Sequence, residues 1–238
     1  MALFLSHRGE SDDAPENTLP AFELAMNRDS DGAELDVRLT ATDELVVCHD
    51  PRLLRVAGED ITVADHTLEE LRKFYPVPLL AEVLRVIKPG KALQIEIKDP
   101  NPKIYGILRD TLLQSGFPRE NLAITSFKDF IIREAAEYFG DLPRLQLIDF
   151  RKFYGGWPVP AVVASRMAEL RCTGVSFRAD FAADREFIDG LKSYGLTTSC
   201  WGVSDDNLGM FLADNGLERM TCNHAVALRA KYAGRRNA

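Results

Sequence analysis

The sequence predicts a closed (β/α)8 barrel. Three observations predict it: eight short apolar strand-like runs, a helix-period segment after each of them, and a chain of 238 residues. That length is close to the roughly 250 residues of the architecture. Strict strand-helix alternation along one chain specifies a parallel sheet covered by helices. The rival, an open doubly wound sheet, more often carries a glycine-rich first turn, and here the first turn reads HRGESDDAPEN.

The elements follow in order. Ala2 to Ser6 is an apolar run that stops at His7-Arg8-Gly9; the SDDAPENT stretch is loop-like, and Leu19 to Arg28 carries apolar residues at helical spacing. Gly32 to Val37 forms the second strand, and Leu45 to Cys48 a short companion joined to it through the turn Thr40 to Glu44. Pro51 to Val77 is then an excursion, in which TLEELRKF opens with the Thr-x-x-Glu capping pattern of Thr67 and Glu70. LLAEVLRVI is a further helical piece. From Ala92 the alternation is regular: strands open at Ala92, Leu122, Arg144, Gly174, Leu196 and Glu218. The helices between them span Ile104 to Gln114, Phe130 to Tyr138, Val162 to Leu170, Phe187 to Tyr194 and Leu208 to Asn215, with Ala225 to Lys231 last. With Ala2 and Gly32 the openings number eight, and no separate domain boundary is needed across residues 1–238.

Composition narrows the partners. A formal net charge of -7 gives no basic footprint for nucleic acid or an anionic membrane, so an anionic substrate must be held by local cations or a metal. No window approaches the length of a transmembrane helix and the N-terminus lacks a basic, apolar leader, which predicts a cytoplasmic protein with no integral membrane segment. Cys48, Cys172, Cys200 and Cys222 show no CxxC pair and read as buried free thiols. A symmetric homodimer is compatible with the sequence, although no interface signal is present.

The chemistry concentrates at strand ends, where barrels of this type keep their functional residues. The stretch ELDVRLTATDELVVCHD, from Glu34 to Asp50, places acids where strands normally bury apolar side chains. Glu34 and Asp36 are two apart, so an extended backbone sends them to one face, where they repel unless a cation lies between them or one is protonated. Glu96 and Lys98 repeat that spacing at the end of the third strand. Glu34, Asp36 and Glu96 together offer hard oxygen ligands suited to a divalent metal, Mg²⁺ or Ca²⁺, whereas zinc favours His and Cys. Arg8 and Lys98 are then placed to clamp a phosphate. His7 and His49 are what acid–base cleavage of a phosphodiester needs, one taking a proton from the nucleophile and one returning a proton to the leaving oxygen.

These residues resemble the glycerophosphodiester phosphodiesterase family. The resemblance lies in His7-Arg8-Gly9, Pro15 to Thr18, Ala21-Phe22-x-x-Ala25, Glu34 to Asp43, Val47 to Asp50 and Ile95 to Lys98, in that order and at compatible spacing. It continues through Ser126-Phe127, the Gly195 to Val203 strand and Met220 to Asn223. It implies a TIM barrel that hydrolyses a small-molecule glycerophosphodiester to sn-glycerol 3-phosphate and an alcohol with a divalent cation. By position it implies Glu34, Asp36 and Glu96 as metal ligands, His7 and His49 as the acid–base pair, Arg8 and Lys98 on phosphate, and Trp201 lining the glycerol pocket. Three departures touch specificity: the excursion Pro51 to Val77, which the resemblance marks as a cap-like insertion, is short, Trp201-Gly202-Val203 stands for the usual Trp-Thr-Val, and Asn223-His224 follows the last strand.

Blander readings compete residue by residue. A single histidine in an apolar run is more often a satisfied core residue, two strand acids can be exposed, and Glu96 with Lys98 can be a same-face ion pair. Trp201 is often packing, His66 a solvated residue before a helix cap, and His224 part of the first turn of the last helix. Asp50 either orients His49 or caps a turn, Glu16 and Asn17 either hold the first loop or reach the metal shell, and Asp29 to Asp31 read as solvated surface. Two further functions remain open from sequence: lysophospholipase D-type hydrolysis, and a barrel that only binds phosphodiesters.

Overall fold

The computed structural model of the chain describes residues 2–236, and its strands close into a ring. In chain order they are β1 (Leu3–His7), β2 (Gly32–Leu39), β3 (Leu45–Val47), β4 (Ala92–Ile97), β5 (Leu122–Ser126), β6 (Arg144–Ile148), β7 (Gly174–Arg178), β8 (Thr197–Trp201) and β9 (Arg219–Cys222). Every strand but β3 pairs in parallel with two neighbours, and the β1–β2 pairing completes an eight-stranded barrel. Among the described residues only β3 stands outside the ring, as the antiparallel partner of β2. The expected boundaries are met within about a residue or two. The strands are buried on both faces, which is why they read as nearly continuous apolar runs.

The outer layer is helical. It includes α1 (Leu19–Asn27), the short α2 (Leu54–Ala57) and α3 (Leu68–Leu71) of the excursion, and α4 (Leu80–Val86). It continues with α5 (Lys103–Ser115), α6 (Asp129–Tyr138), α7 (Phe150–Tyr154), α8 (Pro160–Glu169), α9 (Arg185–Ser193), α10 (Asp206–Asp214) and α11 (Ala225–Arg236). The capping box at Thr67 forms in both directions. One hydrophobic core fills the space between barrel and helices, and a second, smaller one gathers Val46, Cys48, Leu53, Val63, Leu68, Leu71 and Val77. All four cysteines are free and buried.

Three local features differ from expectation. The five-residue α7 is too short for periodicity to reveal; the Asp149 side chain caps it and Gly155, at φ 71°, ends it. The acidic run Asp29 to Asp31 is not simply solvated, because Asp31 accepts from the Phe4 backbone N–H at 3.0 Å and pairs with Arg229, while Asp29 pairs with Lys91 at 2.6 Å. Helix α11 also continues past Lys231 to Arg236: Tyr232 is buried beside Phe4, and Arg235 pairs with Asp214.

Glycine matters most where two backbones nearly touch. A Cβ on Gly32 would lie 2.1 Å from the Ala92 carbonyl oxygen across the β2–β4 pair, a clash no side-chain rotation relieves. Gly106, inside α5, has nothing within 4 Å of such a Cβ. Two alanine substitutions are therefore expected to have opposite signs. Gly32→Ala should lower the denaturation free energy by about 1–3 kcal/mol or more, and Gly106→Ala should raise it by up to about 1 kcal/mol through helix propensity. Urea midpoints measure both, and equal shifts would contradict the packing described.

Candidate active site

The site begins where β1 ends. Arg8 and Asn17 both occupy the left-handed region, at φ 56° and 55°, a conformation that non-glycine residues adopt at a cost. They are held there by hydrogen bonds: Arg8 N–H to the Glu34 carbonyl and Asn17 N–H to the Arg8 carbonyl, each 2.9 Å. Gly9, at φ +83°, lets the loop pass against helix α1, where any Cβ would sit 2.6 Å from the Ala21 backbone. The loop thus folds back over the barrel mouth, and Asn17 Nδ2 donates to Asp36 Oδ2 at 2.8 Å.

On β2 and β4 the register sets Glu34 opposite Gln94 and Asp36 opposite Glu96. Glu34, Asp36 and Glu96 are all buried, at 4%, 1% and 5% exposure, and one oxygen from each lies within 4.8 Å of the others. Burial, then Asp36 and Glu96, push the Glu34 carboxyl well above the usual carboxylate range. Burial and Asp36 likewise push Glu96 up to about 8. Burial works against ionisation of Asp36 too, but Lys98 and Arg8 outweigh it and hold Asp36 below its ordinary value. Lys98 Nζ stands 2.8 Å from Glu96 and 3.4 Å from Asp36, so the same-face ion pair and the cluster are both present.

This donor set fits a divalent metal. Glu34 Oε2 and Asp36 Oδ1 are buried without a hydrogen-bond partner, and all three candidate ligands are hard oxygens. Arg8 adds a second cation, its Nε 3.3 Å from Asp36 and its Nη1 2.9 Å from Glu16.

The two histidines flank the cluster, each anchored through Nδ1. His7 Nδ1 donates to Asn223 Oδ1 at 2.7 Å, and its Nε2 lies 3.9 Å from Glu34. His49 Nδ1 bonds Asp50 Oδ1 at 2.6 Å, the contact an orienting group would make. Burial lowers both imidazoles below their ordinary value, aided by Arg8 at His7 and by Lys98 and Arg8 at His49. With Nδ1 engaged in each, Nε2 is left as the open nitrogen.

His7, Arg8, Glu34, His49, Glu96 and Lys98 line one cavity of about 580 Å³, and Trp201 forms part of its wall. Trp201 meets Phe127 edge to face at 5.1 Å, and its Nε1 is buried without a partner. Asp36, 1% exposed, does not line it.

A family model for the Glycerophosphoryl diester phosphodiesterase family matches residues 7–226. The chain belongs to this family. It is 36% identical over 217 residues to a glycerophosphodiester phosphodiesterase of Caldanaerobacter subterraneus subsp. tengcongensis, covering 84% of this chain and 85% of that protein. Among solved structures it resembles the enzyme of that name from Thermotoga maritima, with TM-score 0.78 and 27% identity over 97% of this chain and 98% of that one. An Oleispira antarctica phosphodiesterase, solved with the product sn-glycerol 3-phosphate, shares the fold at TM-score 0.84 and 22% identity, with 97% and 96% coverage.

Sequence reasoning missed part of this cavity. Asn223 and Gln94 line the cavity and were not singled out for it, although each sits on or just beyond a strand and so shared the positional signal that marked the others. His224 also reaches the cavity wall and faces Asp206 at 3.4 Å, more than a helix-turn residue alone. His66 remains apart, with Nδ1 on the Thr62 carbonyl.

Three carboxylates packed this closely oppose folding unless a cation lies among them or one of them is protonated, and Lys98 and Arg8 relieve the repulsion only in part. Saturating Mg²⁺ or Ca²⁺ at 100 times Kd is expected to add about 2.7 kcal/mol, or about 5–10 °C in Tm for a chain of this size. Glu34→Gln should melt higher than the native chain in chelator and lose most of the metal-induced rise. The same metal shift in both proteins would contradict the assignment.

Proposed function

We propose that this phosphodiesterase cleaves glycerophosphodiesters to sn-glycerol 3-phosphate and an alcohol, with His7 and His49 as the acid–base pair and a divalent cation, Mg²⁺ or Ca²⁺, on Glu34, Asp36 and Glu96. The observation that carries this reading is the convergence, in one cavity of about 580 Å³, of a buried carboxylate cluster with two histidines fixed through Nδ1. The bound cation would supply charge neutralisation at the phosphoryl oxygens.

The chain's own groups account for the remaining steps. Arg8 and Lys98 hold the phosphate, while the carboxylates behind them keep both cations in place. One imidazole Nε2 takes the proton of the attacking hydroxyl, and the other, protonated, returns a proton to the departing alcohol oxygen. For attack by the glycerol 2-hydroxyl, the product is a cyclic phosphate. Water then opens it with the histidine roles reversed, so the protons balance over both steps. Trp201 and Phe127 form the wall suited to the glycerol carbons. We further propose one domain over residues 1–238 acting in the cytoplasm on a small-molecule substrate, and no helix among the described residues is long and apolar enough to cross a membrane.

A second reading has its own support. Phe127 and Phe153 are about half exposed, at 44% and 53%, and help to line a neighbouring cavity of about 560 Å³ with Leu147 and Ile148. The apolar part of that wall, which also carries Asp129, Asp149, Lys152, Arg166 and Arg178, favours lysophospholipids as substrates of the same site.

His7→Ala and His49→Ala should each reduce kcat by at least about 100-fold while circular dichroism and Tm stay near native values. Steady-state release of glycerol 3-phosphate from glycerophosphoethanolamine, with lysophosphatidylethanolamine run in parallel, measures this. Near-normal turnover of both variants would sink the mechanism, and faster turnover of the lysolipid by the native chain would favour the second reading.

A further inference from the structure

We propose that Arg55 is a positioning residue for the catalytic groups, and that the segment 51–77 acts as a brace behind the active site and not as a cover over it. The inference rests on the acid–base reading of His49 given above. None of the residues 51–77 lines the cavity that holds the carboxylates, nor the neighbouring one. The segment is instead directed at the backs of two groups that do.

A single guanidinium makes the connection. Arg55 Nε donates to Asp50 Oδ2 at 2.6 Å, and the other oxygen of Asp50 accepts from His49 Nδ1 at 2.6 Å. On its other side Arg55 donates through Nη1 and Nη2 to both oxygens of Glu16, at 2.7 and 2.6 Å. Glu16 Oε1 in turn accepts from Arg8 Nη1 at 2.9 Å. Arg55 therefore joins two carboxylates, one holding His49 and the other holding Arg8. The planar fork of arginine suits this double engagement, whereas a lysine ammonium cannot reproduce its bidentate geometry.

The rest of the segment holds Arg55 in place. Tyr75 donates its hydroxyl to the Glu16 carbonyl at 2.7 Å, so Glu16 is fixed through side chain and backbone alike. Leu53, Val63, Leu68, Leu71 and Val77 pack with Val46 and Cys48 of the β2–β3 hairpin region into the smaller core, which anchors the segment independently of the ion pairs. The space among Glu16, His49, Asp50, Arg55 and Tyr75 is about 10 Å³, no more than one water probe occupies. The contacts are direct.

The consequence is chemical. An ionised Asp50 only accepts hydrogen bonds, so His49 must carry its proton on Nδ1 and present Nε2 to the cavity. With Arg55 on its second oxygen, Asp50 cannot rotate away from the imidazole. Arg55 itself is 49% exposed at its side chain, so its pairs contribute little to global stability. Its effect is expected in kcat and not in Tm.

The test is a set of variants assayed for glycerophosphoethanolamine hydrolysis. Arg55→Ala should lower kcat about 10- to 100-fold, the scale of a small misplacement of a reacting group, with KM within about twofold. Tm should stay within about 2 °C. Arg55→Lys should recover part of the loss, as should guanidinium ion added to Arg55→Ala below denaturing concentration. If Arg55 acts through Asp50 and Glu16, adding Arg55→Ala to an Asp50→Asn/Glu16→Gln variant will slow it no further. Wild-type kcat in Arg55→Ala, a further multiplicative loss on that background, or a loss that follows Tm overturns the inference. His49→Ala separates the two levels. If it is inactive while Arg55→Ala is normal, only the brace fails; if it is active, the acid–base reading fails and takes the brace with it.

Discussion

Mutual repulsion among Glu34, Asp36 and Glu96 is the constraint around which the barrel mouth is built. Three carboxylates with oxygens within 4.8 Å of one another, each no more than 5% exposed, have little water to separate them. Every nearby cation answers to this. Lys98 stands between Asp36 and Glu96, Arg8 reaches across from the β1 loop, and Asn17 adds a neutral donor from a strained backbone position. The left-handed turns at Arg8 and Asn17 persist because they deliver those donors. Strain at the loop, charge at the strands and the orientation of His7 are parts of one arrangement.

A second layer of charge stabilises the first. Glu16 and Asp50 are both held below the ordinary carboxylate range, in each case against the opposing effect of burial; Arg55 and Arg8 act on Glu16, and His49 and Arg55 on Asp50. They stay anionic and keep their partners oriented. The small excursion after β3 thereby connects the loop after β1 with the segment carrying His49. Two stretches, one following β1 of the ring and one following β3 outside it, are locked in one geometry before any substrate arrives, which is the preorganisation that the proposed acid–base catalysis requires.

Much of this was legible in the sequence, for specific reasons. The strands showed because parallel strands buried on both faces read as uninterrupted apolar runs, and Glu34, Asp36 and Glu96 showed because acids interrupt such runs. His7 and His49 showed by ending them. What stayed hidden depends on contacts between distant residues. Arg55 and Glu16 are 39 residues apart; Arg55 looks like an ordinary surface charge, and Glu16, read as holding the first loop or reaching the metal shell, gives no local sign of its partner. Asn223 meets His7 across 216 residues, and Asp31 meets Phe4 through a backbone N–H, neither of which has a local signature. Helix α7 was hidden by length alone, since five residues do not complete two turns.

The central claim is that a cation held by the three carboxylates and two anchored histidines act together on a phosphodiester. The most direct measurement is release of sn-glycerol 3-phosphate from glycerophosphocholine and glycerophosphoethanolamine by the native chain. It is made with Mg²⁺, with Ca²⁺ and with chelator, beside Glu34→Ala under the same conditions. The account predicts release that requires one of the two metals, stops in chelator and is absent from Glu34→Ala. Release that persists undiminished in chelator, or that Glu34→Ala matches, would contradict it.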